Sequence, residues 1–313
     1  CQQGDVVHNN KCVSPAEKLA SNPDHPESEN NDPKWDGTAN AIMVKDAGKK
    51  AVFTGTIGEP KDLNQDSRPE QDRDVFTFEA QPGDWFKLSV QSTGLPSPSF
   101  VIEGPNGFKR WAASASTTDH VRQFVAPTEG DYTVTVLPEE VLLGEEATGP
   151  SGAQDWDYVG ALTKMSTPTP KAEDLSKSGL KHLTGSTRDL TDNLFKLDKL
   201  DQAKLYELRG RVVGKDVELV LQIWKDATTF DRSIEWQQNS AEKLASVASG
   251  SRLVLVDWRK AWGPNLDFEI TADTVGAKST PSIAANTTHS TQVTVDPFTA
   301  LTVRQSNPSD AEI

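Results

Sequence analysis

The feature that most constrains this chain is a series of short segments in which apolar and polar residues alternate. Between residues 49 and 138 these segments are KKAVFTGTIG, DVFTFEA, DWFKLSV, SFVIEG, VRQFVA and DYTVTVLP. Alternation with a period of two residues is typical of strands that bury one face. The intervening QPGD, GPNG and PTEGD supply the residues that turns require. So many short strands in one stretch predict an antiparallel β-sandwich.

The strand pattern occurs twice. It stops in 139–180, where Gly, Pro and Ser accumulate, and resumes with DNLFKLDK, AKLYELRG, VELVLQIWKD, SRLVLVDW and LDFEITA. DVFTF then matches NLFKL, DWFKLSV matches KLYELRG, SFVIEGPNG matches ELVLQIWKD, and DYTVTV matches LDFEIT. A repeat of this length is a duplicated domain rather than a solenoid unit. The alternative is that any two sandwiches share this outline, because β patterns have only their period of two to match.

The predicted fold is therefore all-β, with two antiparallel, jelly-roll-like β-sandwiches in tandem. The first sandwich is predicted over 41–138 and the second over 181–274, with 139–180 as a linker. Residues 1–40 are predicted to be an N-terminal anchor and flexible tether, because 14–40 is rich in Pro, Asn, Asp, Glu and Ser and poor in aliphatic residues.

The C-terminal residues 275–313 are predicted to form a Ser/Thr-rich segment followed by a β-hairpin. TQVTV and ALTVR flank a DPF turn within 291–304. Isolated hairpins are rarely stable, so this one either completes the second sandwich or adds a strand to a partner's sheet edge.

The chain contains two cysteines, Cys1 and Cys12. Either the two form a disulfide, or Cys1 carries the lipid of a bacterial surface lipoprotein and Cys12 is left as a thiol. The two states of the Cys1 sulfur exclude each other. Both place the protein outside the cytoplasm.

Several segments of the first predicted sandwich resemble a known family. ENNDPKWDGTANAI, FTGTIG, RDVFTFEAQPGDWFKLSV and APTEGDYTVTV, within 29–138, are similar to the bacterial pre-peptidase C-terminal domain. The second copy resembles this family in a divergent form. The resemblance implies a small β-sandwich, an extracellular setting, and a role in binding substrates, surfaces or partner domains.

Charge and motif content limit the function classes. With 46 acidic against 32 basic residues, the net charge of −14 argues against nucleic acid and anionic membrane faces as partners. Contact with a membrane is expected only through a lipid on Cys1. The five histidines are scattered, and neither H-E-x-x-H nor G-x-S-x-G occurs, which predicts a protein that is not an enzyme.

One oxygen-rich segment is a candidate calcium site, the only cofactor that the sequence suggests. Its possible ligands are Asp62, Asn64, Asp66, Glu70, Asp72 and Asp74. The segment departs from the EF-hand pattern, because Ser67 replaces the turning Gly and Arg73 stands at the bidentate Glu position. The alternative is a solvated acidic loop.

Tryptophans are candidate binding residues for a glycan or a partner protein. The candidates are Trp85, Trp111, Trp258 and Trp262. Phe86, Leu88 and Val90 alternate on one face of their strand, which predicts Trp85 on the other. The alternative is that these rings are buried, as most tryptophans are.

Taken together, the sequence predicts a non-enzymatic binding or structural module in a bacterial envelope or extracellular protein assembly. It is expected outside the cytoplasm, either secreted or lipid-anchored to the outer membrane or cell surface. Two other functions stay open: a targeting or regulatory fragment of a secreted hydrolase, and a calcium-dependent adhesin.

Overall fold

The computed structural model describes residues 6–8, 11–13, 25–26, 40–41, 48–58, 72–94, 98–112, 119–142, 156–173, 181–186, 190–197, 204–213, 218–236, 243–247, 252–260 and 265–277. Its strands up to the end of the first sandwich are β1 (Val6–His8), β2 (Lys11–Val13), β3 (His25–Pro26), β4 (Asn40–Ala41), β5 (Lys50–Ile57), β6 (Asp74–Ala80), β7 (Trp85–Ser92), β8 (Pro98–Gly104), β9 (Phe108–Ala112), β10 (Asp119–Val125), β11 (Gly130–Pro138) and β12 (Trp156–Met165).

The later strands are β13 (Lys171–Glu173), β14 (Lys181–Ser186), β15 (Leu194–Leu197), β16 (Lys204–Val213), β17 (Glu218–Trp224), β18 (Phe230–Trp236), β19 (Lys243–Val247), β20 (Arg252–Lys260) and β21 (Asn265–Ala277). A short helix, α1 (Glu139–Leu142), follows β11, and 3₁₀ turns lie at Pro105–Gly107 and Thr191–Asn193. No helix in the described part of the chain is long and apolar enough to cross a membrane.

The first sandwich consists of two five-stranded sheets. One has the strand order β10-β7-β12-β5-β3 and the other β4-β6-β11-β8-β9. Alternate side chains from both sheets meet in one core, which includes Phe53, Phe86 and Leu88 from the first sheet and Phe76 and Ile102 from the second. The prediction of an all-β antiparallel sandwich is therefore confirmed.

The second sandwich repeats this topology strand for strand. Its sheets have the orders β13-β15-β20-β17-β18 and β14-β21-β16-β19, so β13 to β21 correspond in sequence to β4 to β12. Even the short first strand of each copy pairs in parallel, β4 with β6 and β13 with β15. Only β3, at the edge of the first sandwich, has no counterpart among the described strands of the second.

One cross-strand row shows how closely the copies match. In the first sandwich, Phe76, Val134, Ile102 and Arg110 lie side by side on β6, β11, β8 and β9. In the second sandwich, the same four residue types recur as Phe195, Val254, Ile223 and Arg232 on β15, β20, β17 and β18. Residues directly opposite on neighbouring strands share a face, and the three apolar members of each row are buried. Each row therefore runs from the core to an arginine on an edge strand.

The predicted linker 139–180 requires a correction, because it contains α1, β12 and β13. β12 lies between β5 and β7 in the middle of the first sheet. Its segment from Tyr158 to Leu162 is buried on both faces, so it lacks the alternation that identifies a half-buried strand. The first sandwich therefore extends to Met165, and the chain between β12 and β13 is STPTP, residues 166–170.

This correction also changes one pairing of the repeat. Three of the four predicted matches follow the observed topology, namely β6 with β15, β7 with β16 and β8 with β17. The match of DYTVTV with LDFEIT was wrong by one strand, because β11 corresponds to β20 and β12 to β21.

The two ends of the chain are described only in part. Within the predicted tether 1–40, β1 pairs with β2, β3 pairs with β5, and Asn40 of β4 pairs with Phe76 of β6. Cys12 has a backbone position in β2 opposite Val7, whereas Cys1 lies outside the described residues. The predicted hairpin 291–304 also lies outside them.

Candidate functional site: the edge sites of the two sandwiches

At one side of the first sandwich, the edge strands of its two sheets lie next to each other. β9 is the edge of one sheet and β10 is the edge of the other. Arg110 on β9 pairs with core residue Ile102, and Arg122 on β10 pairs with core residue Leu88. Since side chains alternate between the two faces of a strand, both arginines are on the inward-facing rows. We call Phe108, Arg110 and Arg122 the first edge site.

Asp257 of the second sandwich occupies the first edge site. Its Oδ2 accepts a hydrogen bond from Arg110 Nε at 2.5 Å, and its Oδ1 accepts one from Arg122 at 2.7 Å. Arg122 also donates to the main-chain oxygen of Trp258. The side chains of Arg110, Arg122 and Asp257 are 3%, 2% and 0% exposed. The two sandwiches are thus joined by a buried cluster of two cations and one anion.

Burial dominates the electrostatics of this cluster. It lowers the pKa of Arg122 to about 10, while Asp257 opposes this effect and the neighbouring Arg110 adds to it. Arg122 therefore stays protonated at neutral pH. The guanidinium of Arg110 is held over the ring of Phe108, 4.6 Å from its centroid.

The second sandwich meets this site with the outer face of its sheet β13-β15-β20-β17-β18. On β20 and β17 this face carries Leu255, Asp257, Gln222 and Trp224, all of which are buried. Two further contacts secure the junction. Leu190 N donates to Gln123 Oε1 at 2.9 Å, and the turn at Gly83 lies against the main chain of Ala227.

The equivalent outer face of the first sandwich has a different chemistry. Thr133 and Thr135 stand where the second sandwich has Leu253 and Leu255, and both threonines are half-buried. Glu103, which is exposed, stands at the position of Trp224, and Leu137 at the position of Asp257. At three of these four positions the face that docks has an apolar residue where the first sandwich has a polar one, and at the fourth Asp257 stands in place of Leu137.

In the second sandwich, the equivalent edge strands are β18 and β19. Arg232 on β18 corresponds to Arg110, because both pair with the isoleucine of the inward row. A bulge beside Ile223 pairs Phe230 with Trp224 on the outer face, whereas Phe108 lies in the core of the first sandwich. We call Phe230 and Arg232 the second edge site. The Phe230 ring packs edge-to-face on Trp224, with 5.2 Å between centroids, and the side chain of Arg232 is 45% exposed.

The predicted calcium ligands are only partly described. Asp62, Asn64, Asp66 and Glu70 lie outside the described residues. Asp72 Oδ2 accepts a hydrogen bond from Gly58 N at 2.5 Å, which ties the residue after β5 to the segment just before β6. Among the residues that the structure describes, no group of three or more His, Cys, Asp or Glu side chains is arranged to hold a metal ion. The calcium site stays a prediction.

Asp74, another predicted ligand, is a core residue. It is fully buried, and its Oδ2 accepts a hydrogen bond from the Tyr158 hydroxyl at 2.7 Å. Both groups lie close above Gly55, where a side chain would collide with them. In the second sandwich, Asn193, which is also buried, stands at the position of Asp74.

Two of the predicted binding tryptophans are buried, and for these the prediction of an exposed ring was wrong. Trp85 does lie on the strand face opposite Phe86, but it is only 3% exposed. Trp258 is 0% exposed because it alternates with Asp257 and continues the inward row of Val254 and Val256. Trp111, on β9, is half-buried. Trp262 lies outside the described residues.

Sequence reasoning did not identify the arginines of the two edge sites. The available signal was a repeated Phe-x-Arg, at residues 108–110 and 230–232. So short a pattern arises often by chance. It acquires meaning only when the strand order places both copies on equivalent edges.

No family model matches the chain, and no curated protein matches it. Among solved structures, the periplasmic inhibitor of g-type lysozyme, PliG, from Salmonella Typhimurium is similar at 17% identity with a TM-score of 0.27, over 41% of this chain and 99% of that one. PliG from Aeromonas hydrophila is similar at 14% identity with a TM-score of 0.26, over 41% of this chain and 96% of that one. The PBSX exported protein XepA is similar at 8% identity with a TM-score of 0.23, over 86% of this chain and 93% of that one. Likenesses at these scores do not define a function for this chain.

Proposed function

We propose that this chain is a non-enzymatic protein-binding module that acts outside the cytoplasm, and that the second edge site is where it meets its partner. The observation that carries the proposal is internal to the molecule. The first edge site binds a protein surface, and the second sandwich presents an edge of the same topology with Arg232 at the position of Arg110 on its edge strand.

The architecture supports a binding role. The buried cluster of Arg110, Arg122 and Asp257 joins the sandwiches at a defined position, because three charges in a dry interface tolerate little displacement. A rigid support of this kind lowers the entropy that a partner loses on binding. The loop from Lys225 to Thr229 lies at this junction through Ala227, and Arg232 and Ser233, which follow it on β18, are exposed.

The location outside the cytoplasm rests on the cysteine pattern and on the resemblance to the pre-peptidase C-terminal domain. A lipid on Cys1 would attach the module to a membrane through residues 1–40, whereas a disulfide between Cys1 and Cys12 would be compatible with secretion. The intact mass of the native protein distinguishes the two states. A lipid adds the mass of its acyl chains, and a disulfide removes two hydrogens.

Site-specific photo-crosslinking in cells that produce the full chain tests the proposed site. A photoreactive phenylalanine at Ser233, which is exposed on β18, is expected to form an adduct with a partner protein. The matched control is the same group at Lys87, which is exposed on the outer face of β7 in the first sandwich. Adducts of equal yield and composition at both positions, or none at Ser233, would contradict the proposal.

A further inference from the structure

One sheet of the second sandwich ends at a strand whose counterpart in the first sandwich is covered. In the first sandwich, β3 pairs with the outer edge of β5, and His25 lies opposite Phe53. β14 has the position of β5 in the repeat, and it is an edge strand among the described strands of the second sandwich. We propose that residues 291–295, TQVTV, pair with this edge of β14 and complete its sheet. This inference goes beyond the proposed function, because β14 and β18 belong to different sheets.

The main chain of β14 is the first step. Alternate residues of an edge strand direct their N–H and C=O groups away from the sheet, where a further strand can pair with them. Natural proteins commonly cover such edges, since an open edge also pairs with the edges of other molecules. The first sandwich covers the equivalent edge with a strand of the same chain. A strand of this chain is therefore the expected occupant at β14 as well.

The source of that strand is the second step. In the first copy, β3 precedes β4, and residues 27–39 connect the two. In the second copy, only STPTP, residues 166–170, separates β12 from β13, so the same place in the chain has no room for a covering strand. Residues 174–180 connect β13 in one sheet to β14 in the other. Residues 278–313, which follow β21, contain the alternating runs TQVTV and ALTVR. The covering strand is thus expected from the C-terminal side.

The direction of β21 agrees with this source. β21 pairs antiparallel with β14, with Ile270 opposite Lys181, and it continues for seven residues beyond this pair, to Ala277. The chain therefore leaves β21 at the end of the sheet where β14 begins. A segment that turns back at this end runs parallel to β14, just as β3 runs parallel to β5.

The connection is long enough to reach the edge. From Ala277, the level at which β14 begins lies about 24 Å back along β21, and the open edge lies about 10 Å to the side, which is two strand spacings. Residues 278–290 span about 43 Å when extended. The TQVTV that follows alternates as a strand with one buried face does, and ALTVR can pair with it across the DPF turn.

Hydrogen exchange of the full chain, followed by mass spectrometry of peptides that contain β14 and residues 291–304, tests the pairing. Both segments are expected to exchange slowly, at rates that do not depend on protein concentration. Val293→Pro and Thr294→Pro each remove an amide hydrogen. Because successive amides of a strand point to opposite sides, one of these variants loses a hydrogen bond to β14, and exchange in β14 is expected to accelerate by about tenfold or more.

Two controls accompany the variants. Ala285→Pro places the same ring in the connection and is expected to leave exchange in β14 unchanged. β16, an inner strand of the same sheet, reports whether the sheet itself stays folded. Nuclear Overhauser effects between the backbone protons of residues 291–295 and 181–186 in the unchanged chain give a readout that needs no variant.

Fast exchange of residues 291–295, absence of these Overhauser effects, or unchanged exchange of β14 in both variants while β16 stays protected would overturn the inference. Protection of β14 that rises with protein concentration would assign the edge to a second copy and would overturn it as well. The crosslink at Ser233 reports on β18 alone, so the proposed function can fail or hold independently of these results.

Discussion

Replacement of Asp257 by leucine is the most direct test of how the two sandwiches are joined. Asp257→Leu removes the anion of the buried cluster and leaves Arg110 and Arg122, both almost inaccessible to solvent, without their shared carboxylate. The position itself accepts leucine, because Leu137 occupies it in the first sandwich and is also buried. The decrease in the free energy of unfolding then measures the cost of burying two arginines without a counter-ion, rather than the cost of a steric clash.

The expected loss follows from the burial of these groups. Removal of one partner from a buried ion pair costs about 3–5 kcal/mol. The upper part of this range applies here because two cations lose their partner. The pKa of Arg122 is already lowered to about 10 by burial, and Asp257 is the group that opposes this shift. At neutral pH the full destabilisation is therefore expected, because Arg122 avoids the cost of a buried unpaired charge only by losing its proton.

The assay is equilibrium unfolding in urea, followed by tryptophan fluorescence and far-UV circular dichroism. With a slope of about 2 kcal/mol per molar urea, a loss of 3–5 kcal/mol lowers the midpoint by about 1.5–2.5 M. The control is the triple variant Arg110→Met, Arg122→Met and Asp257→Leu, which removes all three charges and is expected to recover most of the loss. A loss below about 1 kcal/mol in Asp257→Leu, or a triple variant no more stable than the single one, would refute the reasoning.

Three further predictions concern single positions. Gly83→Ala is expected to destabilise the chain more than Gly107→Ala in urea unfolding, because both residues have positive φ but only Gly83 packs against another backbone; the strain alone costs about 1 kcal/mol. Burial raises the pKa of Tyr132 above 10, so absorbance at 295 nm should show a late phenol titration that Tyr132→Phe removes, and stability should fall as pH rises through that titration. Tyr158→Phe should cost about 1–3 kcal/mol in urea unfolding by removing a donor from buried Asp74, and adding Asp74→Asn should recover part of it.

The sequence predicted the strands that bury one face, because their signal is local. DVFTFEA and DWFKLSV alternate as expected for β6 and β7. β12 was missed because YVGAL is buried on both faces and shows no alternation. The missing strand then displaced the last match of the repeat. A strand in the middle of a sheet is thus the element for which a period of two residues is least informative.

The candidate site depends on contacts that no local pattern encodes. Arg110 and Arg122 are 147 and 135 residues from Asp257 in sequence. In VLVDW, the polar Asp257 alternates with apolar residues, a pattern that predicts a solvated face for the aspartate. The face is covered instead by the first sandwich, so the aspartate is buried and pairs with two arginines. Only the topology of both sandwiches brings these residues together.

A few residue differences between the two copies explain why the outer face of the second sandwich docks on the first, and not the reverse. The outer sheet face carries Thr133, Thr135 and Glu103 in the first copy but Leu253, Leu255 and Trp224 in the second. Burying the first set would desolvate hydroxyls and a carboxylate, whereas burying the second set removes apolar surface from water, at about 25 cal/mol per Å².

On the edge strands it is the first copy, and not the second, that has the residues needed for docking. The first copy has the arginine pair that a buried aspartate requires, whereas Arg232, on the equivalent edge strand of the second copy, is 45% exposed. Docking within the chain therefore uses the face of the second sandwich and the edge of the first. On the second copy, the equivalent edge strand β18 stays exposed at Arg232 and Ser233, which is why the proposed partner site lies there.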